Sequence, residues 1–200
     1  MRIIFFQNKK SKKMKKSIIL FSVILISALA IILTASSDNY SKSYGDYKYV
    51  GVDGCTKACH KTDAAGKQLD IWKASKHSQA WTALTTPEAD KTAKDKGFTT
   101  AATETPFCIK CHVLGKDIDP STLSDTFKKE DGVQCETCHG PGSEYKSLSI
   151  MKDKQKAIDN GLLIQTGKEF CVTCHNPESP NYKEFNYDDA WAQIKHVKPQ

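Results

Sequence analysis

Four pairs of cysteines, each closed by a histidine, constrain this 200-residue chain more than any other feature. They are Cys55 and Cys59 with His60, Cys108 and Cys111 with His112, Cys135 and Cys138 with His139, and Cys171 and Cys174 with His175. Only 6 of the 200 residues are His. Chance would place one after all four pairs with a probability of about one in a million, so the pattern is a site. Two thiols can add to the two vinyl groups of a haem, and the next histidine can turn its imidazole onto the iron. Three motifs have the Cys-x-x-Cys-His spacing of such attachment; the first, Cys55-Thr-Lys-Ala-Cys59-His60, carries one extra residue. Zinc would combine the pairs two at a time, with no need for a histidine after each. Iron–sulfur clusters want cysteine alone, and thioredoxin-like pairs do not come in fours. A disulfide framework would leave the histidines unexplained. The expectation is four covalently bound haem c groups, held by eight cysteines, with His60, His112, His139 and His175 as proximal ligands.

The remaining ligands are scarce. Two histidines are left, His77 and His196, whereas four bis-histidine haems need eight in all. Methionine can take the sixth position, and only Met151 follows the N-terminal segment. At least one haem therefore lacks histidine or methionine on its far side. His77 lies in Asp70–Leu84, where helical periodicity puts Ala74, His77, Trp81 and Leu84 on one face, so it is expected to reach a haem. His196 follows a stretch (186–196) whose helical stripe is Tyr187, Trp191 and Ile194. It falls on the opposite side of that wheel, but is also expected to ligate.

The first 36 residues hold seven basic residues and no acidic one. Removing them changes the balance from 29 basic and 23 acidic residues to 22 and 23. A near-neutral remainder argues against nucleic-acid binding, which needs a basic patch in the folded part. Lys15 and Lys16 precede an apolar run at 18–35, the pattern of an export signal; Met14 could be the true start. Cleavage is favoured over a retained membrane anchor, and in either case the rest of the chain is expected outside the cytoplasm, in a periplasm or equivalent compartment. Residues 37–50 read as a polar tether, and 51–200 as one haem-bearing domain. Aliphatic residues are thin there, so the haems would form the core with the polypeptide as wrapper. The fold class expected is mainly α with long loops and few or no strands. Pro87–Gly97 is rich in Ala and Lys, and residues 151–164 have weak helical periodicity. The stretch 113–134 reads as loop, and Gly140-Pro141-Gly142 as a sharp turn.

The chain resembles the tetrahaem cytochrome c-554 family, electron carriers related to the haem cores of hydroxylamine oxidoreductase and multihaem nitrite reductases. The resemblance covers roughly residues 50–198 and rests on three stretches. They are Trp72 to His77 after the first motif, Cys108-Ile-Lys-Cys-His-Val-Leu-Gly115, and Gly132-Val-Gln-Cys-Glu-Thr-Cys-His-Gly-Pro-Gly142. It implies a helical fold with haems in stacked and perpendicular pairs, one of them five-coordinate and held by His112. It also implies that His77 ligates the haem of the third motif and His196 that of the fourth. The family's distal histidine for the first haem follows the Gly-Pro-Gly turn, where this chain has Tyr145 and Met151 instead. The expected function is electron transfer between redox partner proteins, with a membrane quinol-oxidising complex as donor if an anchor is retained. Two alternatives remain: an enzyme reducing nitric oxide, nitrite or hydroxylamine at an open iron, and a subunit of a larger haem conduit. No catalytic residues are singled out.

Overall fold

In the computed structural model, residues 46–56, 60–114 and 118–197 are described. The expected export segment (1–36), residues 37–45 of the expected tether, Cys59 and Gly115 lie outside them. Among the described residues no helix is long and apolar enough to cross a membrane. Among the described residues the fold is helical without strands, as expected, and they hold one isolated parallel bridge, between Tyr49 and Leu123.

The chain enters as a strap, residues 46–56. Tyr49 donates its N–H to the Thr122 carbonyl (2.8 Å) and accepts from Ser124 N–H (3.0 Å). Lys48 and Ser143 exchange backbone and hydroxyl bonds, and Val50 is buried. Residues 46–50, the end of the stretch expected to be a tether, are therefore bound into the fold. Their backbone polar groups are met by the loop before the third motif and by the turn after it. The strap ends in α1 (Val52–Cys55), which packs on α5 (Cys135–His139).

Helix α2 (Gln68–Ala74) is shorter than the periodicity of 70–84 implies. It stops at Ser75, whose hydroxyl donates to the Trp72 carbonyl (2.7 Å), and Ser78 donates its own to the Ser75 carbonyl (2.9 Å). Such local bonds offer the backbone an alternative to the helical ladder. His77 therefore lies in a turn, and a 3₁₀ turn at Thr82–Leu84 resumes the apolar stripe. The turn is tied to the segment leading into the third motif: Trp72 Nε1–H donates to the Val133 carbonyl (2.8 Å), and Val133 N–H to the His77 carbonyl (2.9 Å). Gly132 passes so close that a Cβ there would lie 2.5 Å from the His77 oxygen, and its φ of +72° also requires glycine.

Helix α3 (Pro87–Asp95) starts on an N-cap, Thr86, whose hydroxyl accepts from Ala89 N–H (3.1 Å). Proline in the first turn and Glu88 and Asp90 beside the helix's positive end favour the same start. Asp90 also accepts from Ala102 N–H (2.8 Å). Leu84, Ala93 and Ala102 form a small core with Trp81, Ala89 and Phe98, and Cys108 of the second motif packs on it. Helix α4 (Pro106–His112) carries that motif. Short helices α6 (Leu148–Met151) and α7 (Lys154–Asp159) follow the third motif, and α8 (Lys168–Cys171) opens the fourth. The last helix, α9 (Tyr187–Ile194), is capped by Asn186 and packs against α2.

Candidate haem-binding site

The second, third and fourth attachment motifs sit on or at the end of a short helix. A helical turn brings a cysteine, its partner three residues on and the adjoining histidine to one region of surface. The structure then brings sulfurs of different motifs together. The Cys55 thiol lies beside that of Cys135, and the Cys111 thiol beside that of Cys174. The Cys111 thiol pulls that of Cys174 down to about 6. Burial pushes Cys138 up to about 11, with the nearby Cys171 sulfur adding to it. Among the described residues no three His, Cys, Asp or Glu side chains converge to hold a bare metal ion. The sulfurs line up in pairs between motifs, not four to a point as a zinc or iron–sulfur site would need.

The histidines pair as well. The His139 and His196 rings face each other through their Nε2 atoms at 3.5 Å, with centroids 5.8 Å apart and planes at 62°. The His77 and His175 rings have centroids 6.1 Å apart and planes at 50°. Two imidazoles bound on opposite sides of one metal ion, at bond lengths of roughly 2 Å, would have their nitrogens about 4 Å apart and centroids about 6 Å apart. Both pairs are close to that arrangement. The resemblance assigns the partners the other way round: it gives His77 to the third motif and His196 to the fourth. In the structure His77 faces His175 of the fourth motif, and His196 faces His139 of the third. Helix α9 ends at Ile194 and Lys195 is extended, so His196 is free of the helical wheel that would have turned it away.

Tautomers fit a metal between the rings. His139 Nδ1 lies 3.0 Å from the Leu163 carbonyl, and His196 Nδ1 3.0 Å from the Ile194 carbonyl. A carbonyl only accepts, so each Nδ1 carries the proton and each Nε2 presents a lone pair. His112 has the same second-sphere anchor, Nδ1 to the Ala80 carbonyl at 2.6 Å. Burial holds the His77, His139 and His175 imidazoles below their ordinary value, which favours the neutral form that can donate a lone pair. The donor set therefore fits haem c: thiols in pairs, and neutral imidazoles with Nε2 free.

With four of the six histidines so paired, His60 and His112 have no facing histidine. Tyr145, at the place of the missing distal histidine, is buried and donates its hydroxyl to the carbonyls of His139 (3.0 Å) and Gly140 (2.9 Å). Its proton is thus committed to the backbone, and burial raises its pKa. A cavity of about 380 Å³ adjoins the fourth motif; its wall includes Phe185, which stacks on His175 at 4.6 Å and 17°. Lys110 of the second motif spans to Glu178 beyond the fourth (3.0 Å).

Sequence reasoning missed Glu136, inside the third motif. Only 1% of it is exposed, and its carboxylate accepts from Val50 N–H (2.9 Å), Gly51 N–H (2.7 Å) and Gly142 N–H (2.7 Å). Burial raises its pKa, against the pull of the three N–H groups. Its neighbour Gln134 accepts from Val52 N–H (2.9 Å) and donates to the Lys128 carbonyl (2.7 Å). The only local signal was an acidic residue between two cysteines before Gly-Pro-Gly.

Comparison with known proteins agrees with this geometry. The family described as "Cytochrome c554 and c-prime" matches residues 55–140, from the first motif through the third. A relative, cytochrome c-554 of Nitrosomonas europaea, is 28% identical over 169 residues, covering 78% of this chain and 67% of the relative. No solved structure matches. The chain is therefore similar to the cytochrome c-554 family, c-type cytochromes that bind haem c covalently and transfer electrons.

Proposed function

We propose that the chain is an exported tetrahaem electron carrier in which two irons are bis-histidine and two keep an open side. The eight cysteines attach the four groups, and His60, His112, His139 and His175 are the proximal ligands. His196 is the distal ligand of the third motif's haem and His77 that of the fourth's. The observation that carries this reading is the facing of His139 with His196 and of His77 with His175.

The bound haem iron supplies the one-electron chemistry. The protein's residues hold and orient the groups. The Cys55–Cys135 and Cys111–Cys174 contacts support a first haem beside the third and a second beside the fourth. Cys138, beside Cys171 and Cys174, supports a link between those two pairs. Carbonyls of Ala80, Leu163 and Ile194 fix imidazole orientation and keep each Nε2 available. Export rests on the basic and apolar N-terminal pattern, which implies partners outside the cytoplasm. A membrane quinol-oxidising complex is the donor class if that segment is retained, and a diffusible redox protein if it is cleaved.

Mass spectrometry of the protein purified from its exported form, with pyridine haemochrome quantification, tests the reading. Four haem additions and a new N-terminus beyond residue 30 are expected. Three or fewer haems would overturn the tetrahaem reading.

A further inference from the structure

Three backbone amides from two separate segments end on one buried carboxylate. The strap delivers Val50 and Gly51 N–H to Glu136, and the turn after the motif delivers Gly142 N–H. The three bonds are 2.7–2.9 Å long, well within hydrogen-bond range. Gln134 takes the next strap amide, Val52, and Thr126 donates its hydroxyl to the Val50 carbonyl (2.9 Å). The packing leaves no slack: a Cβ on Gly142 would lie 2.9 Å from Glu136 Oε1 and 3.3 Å from Val50 Cγ2.

The chemistry asks for a carboxylate. Three donors converge on two oxygens, and a carboxylate is acceptor-only on both. An amide must turn its NH₂ toward one of the donors, leaving a buried N–H unpaired. The place is also particular. Glu136 follows Cys135, whose thiol meets that of Cys55 three residues after Val52 along the same strap. The bonds of Glu136 and Gln134 therefore span from the third motif to the chain that carries the first.

We propose that Glu136, aided by Gln134, is a positioning residue that fixes the first attachment motif against the third and so sets the electronic contact between the two haems they carry. This rests on the tetrahaem reading. Lys128 and Asp53 also tie the strap (2.9 Å), but both are well exposed, and such pairs contribute little.

The test uses the full-length holoprotein as wild type, Glu136→Gln, Glu136→Asp and, as control, Lys128→Ala. Haem content is fixed on every sample. The readout is the bisignate Soret circular-dichroism couplet of the oxidised protein, which reports haem–haem coupling. A Cys55→Ala/Cys59→Ala variant measures the share of that couplet due to the first haem. The expected result is that Glu136→Gln and Glu136→Asp keep four haems but lose that share, whereas Lys128→Ala keeps it. A four-haem Glu136→Gln protein with the wild-type couplet would overturn the proposal. Fewer than four haems in the wild type would overturn the tetrahaem reading instead. Hydrogen exchange on the wild type gives a check that needs no variant. The Val50, Gly51 and Gly142 amides should be among the slowest to exchange, and fast exchange there would overturn the proposal as well.

Discussion

His139 and His196 each tie one ring nitrogen to a carbonyl and present the other to its opposite number. The proposed assignment of histidines to irons rests on that pairing and can be separated by experiment from the one the resemblance implies. In a variant lacking the fourth haem (Cys171→Ala/Cys174→Ala), adding His77→Ala should leave the spin states of the remaining haems unchanged, because its partner iron is already gone. Electron paramagnetic resonance checks this, and a new high-spin signal would return His77 to the third motif. Tyr145 supplies a second residue-scale prediction. Its hydroxyl satisfies two carbonyls after the third motif and is not free to ligate. Tyr145→Phe should destabilise the protein by about 1–2 kcal/mol, the cost of unsatisfied buried acceptors, and leave the haem spectrum as it was. Denaturant unfolding and the oxidised absorption spectrum together read both. The histidines that the fold brings into facing pairs stood out in the sequence because His is rare and four of the six close cysteine pairs. Glu136 was not, since a buried carboxylate shows no periodicity and its partners are backbone amides from strap and turn.

At the scale of elements, the helices are short and end for local reasons. Thr86 caps α3 through its hydroxyl, and Thr86→Ala should lower stability by about 1 kcal/mol without changing the haem spectrum. A denaturation midpoint shift with an unchanged slope would show it. The stripe Ala74, His77, Trp81 and Leu84 suggested one continuous helix. Ser75 and Ser78 spend their hydroxyls on nearby carbonyls and break the segment into helix, turn and 3₁₀ turn, which leaves Ala74 exposed and Leu84 the buried member of the four. Periodicity registers which residues are apolar and misses hydroxyls that compete for the backbone. The terminal helix was legible from Tyr187, Trp191 and Ile194, and the stripe failed only for His196, which lies past the helix end. The strap at 46–50 looked like linker because its composition is polar. Its place in the fold comes from paired backbone groups, which composition does not record.

The molecule as a whole has little aliphatic core. Among the described residues ten hydrophobic side chains are buried, three of them alanines. Burial of apolar surface is the main favourable term in folding, and covalently attached haem would supply the apolar mass that this interior lacks. Replacing all eight cysteines by alanine should therefore give a chain without cooperative unfolding, followed by far-ultraviolet circular dichroism through a thermal ramp. A sharp transition in that chain would mean that the polypeptide folds by itself.

The pairing of histidines leaves His60 and His112 without a facing imidazole, and the proposed ligand set makes them the proximal ligands of two open irons. Carbon monoxide added to the fully reduced protein, with haem content fixed on the same sample and binding followed in the Soret band, tests this most directly. Two of four haems should bind. Binding by none or by one would mean that another side chain caps His60's iron, His112's or both, and would contradict the ligand assignment drawn from the facing rings.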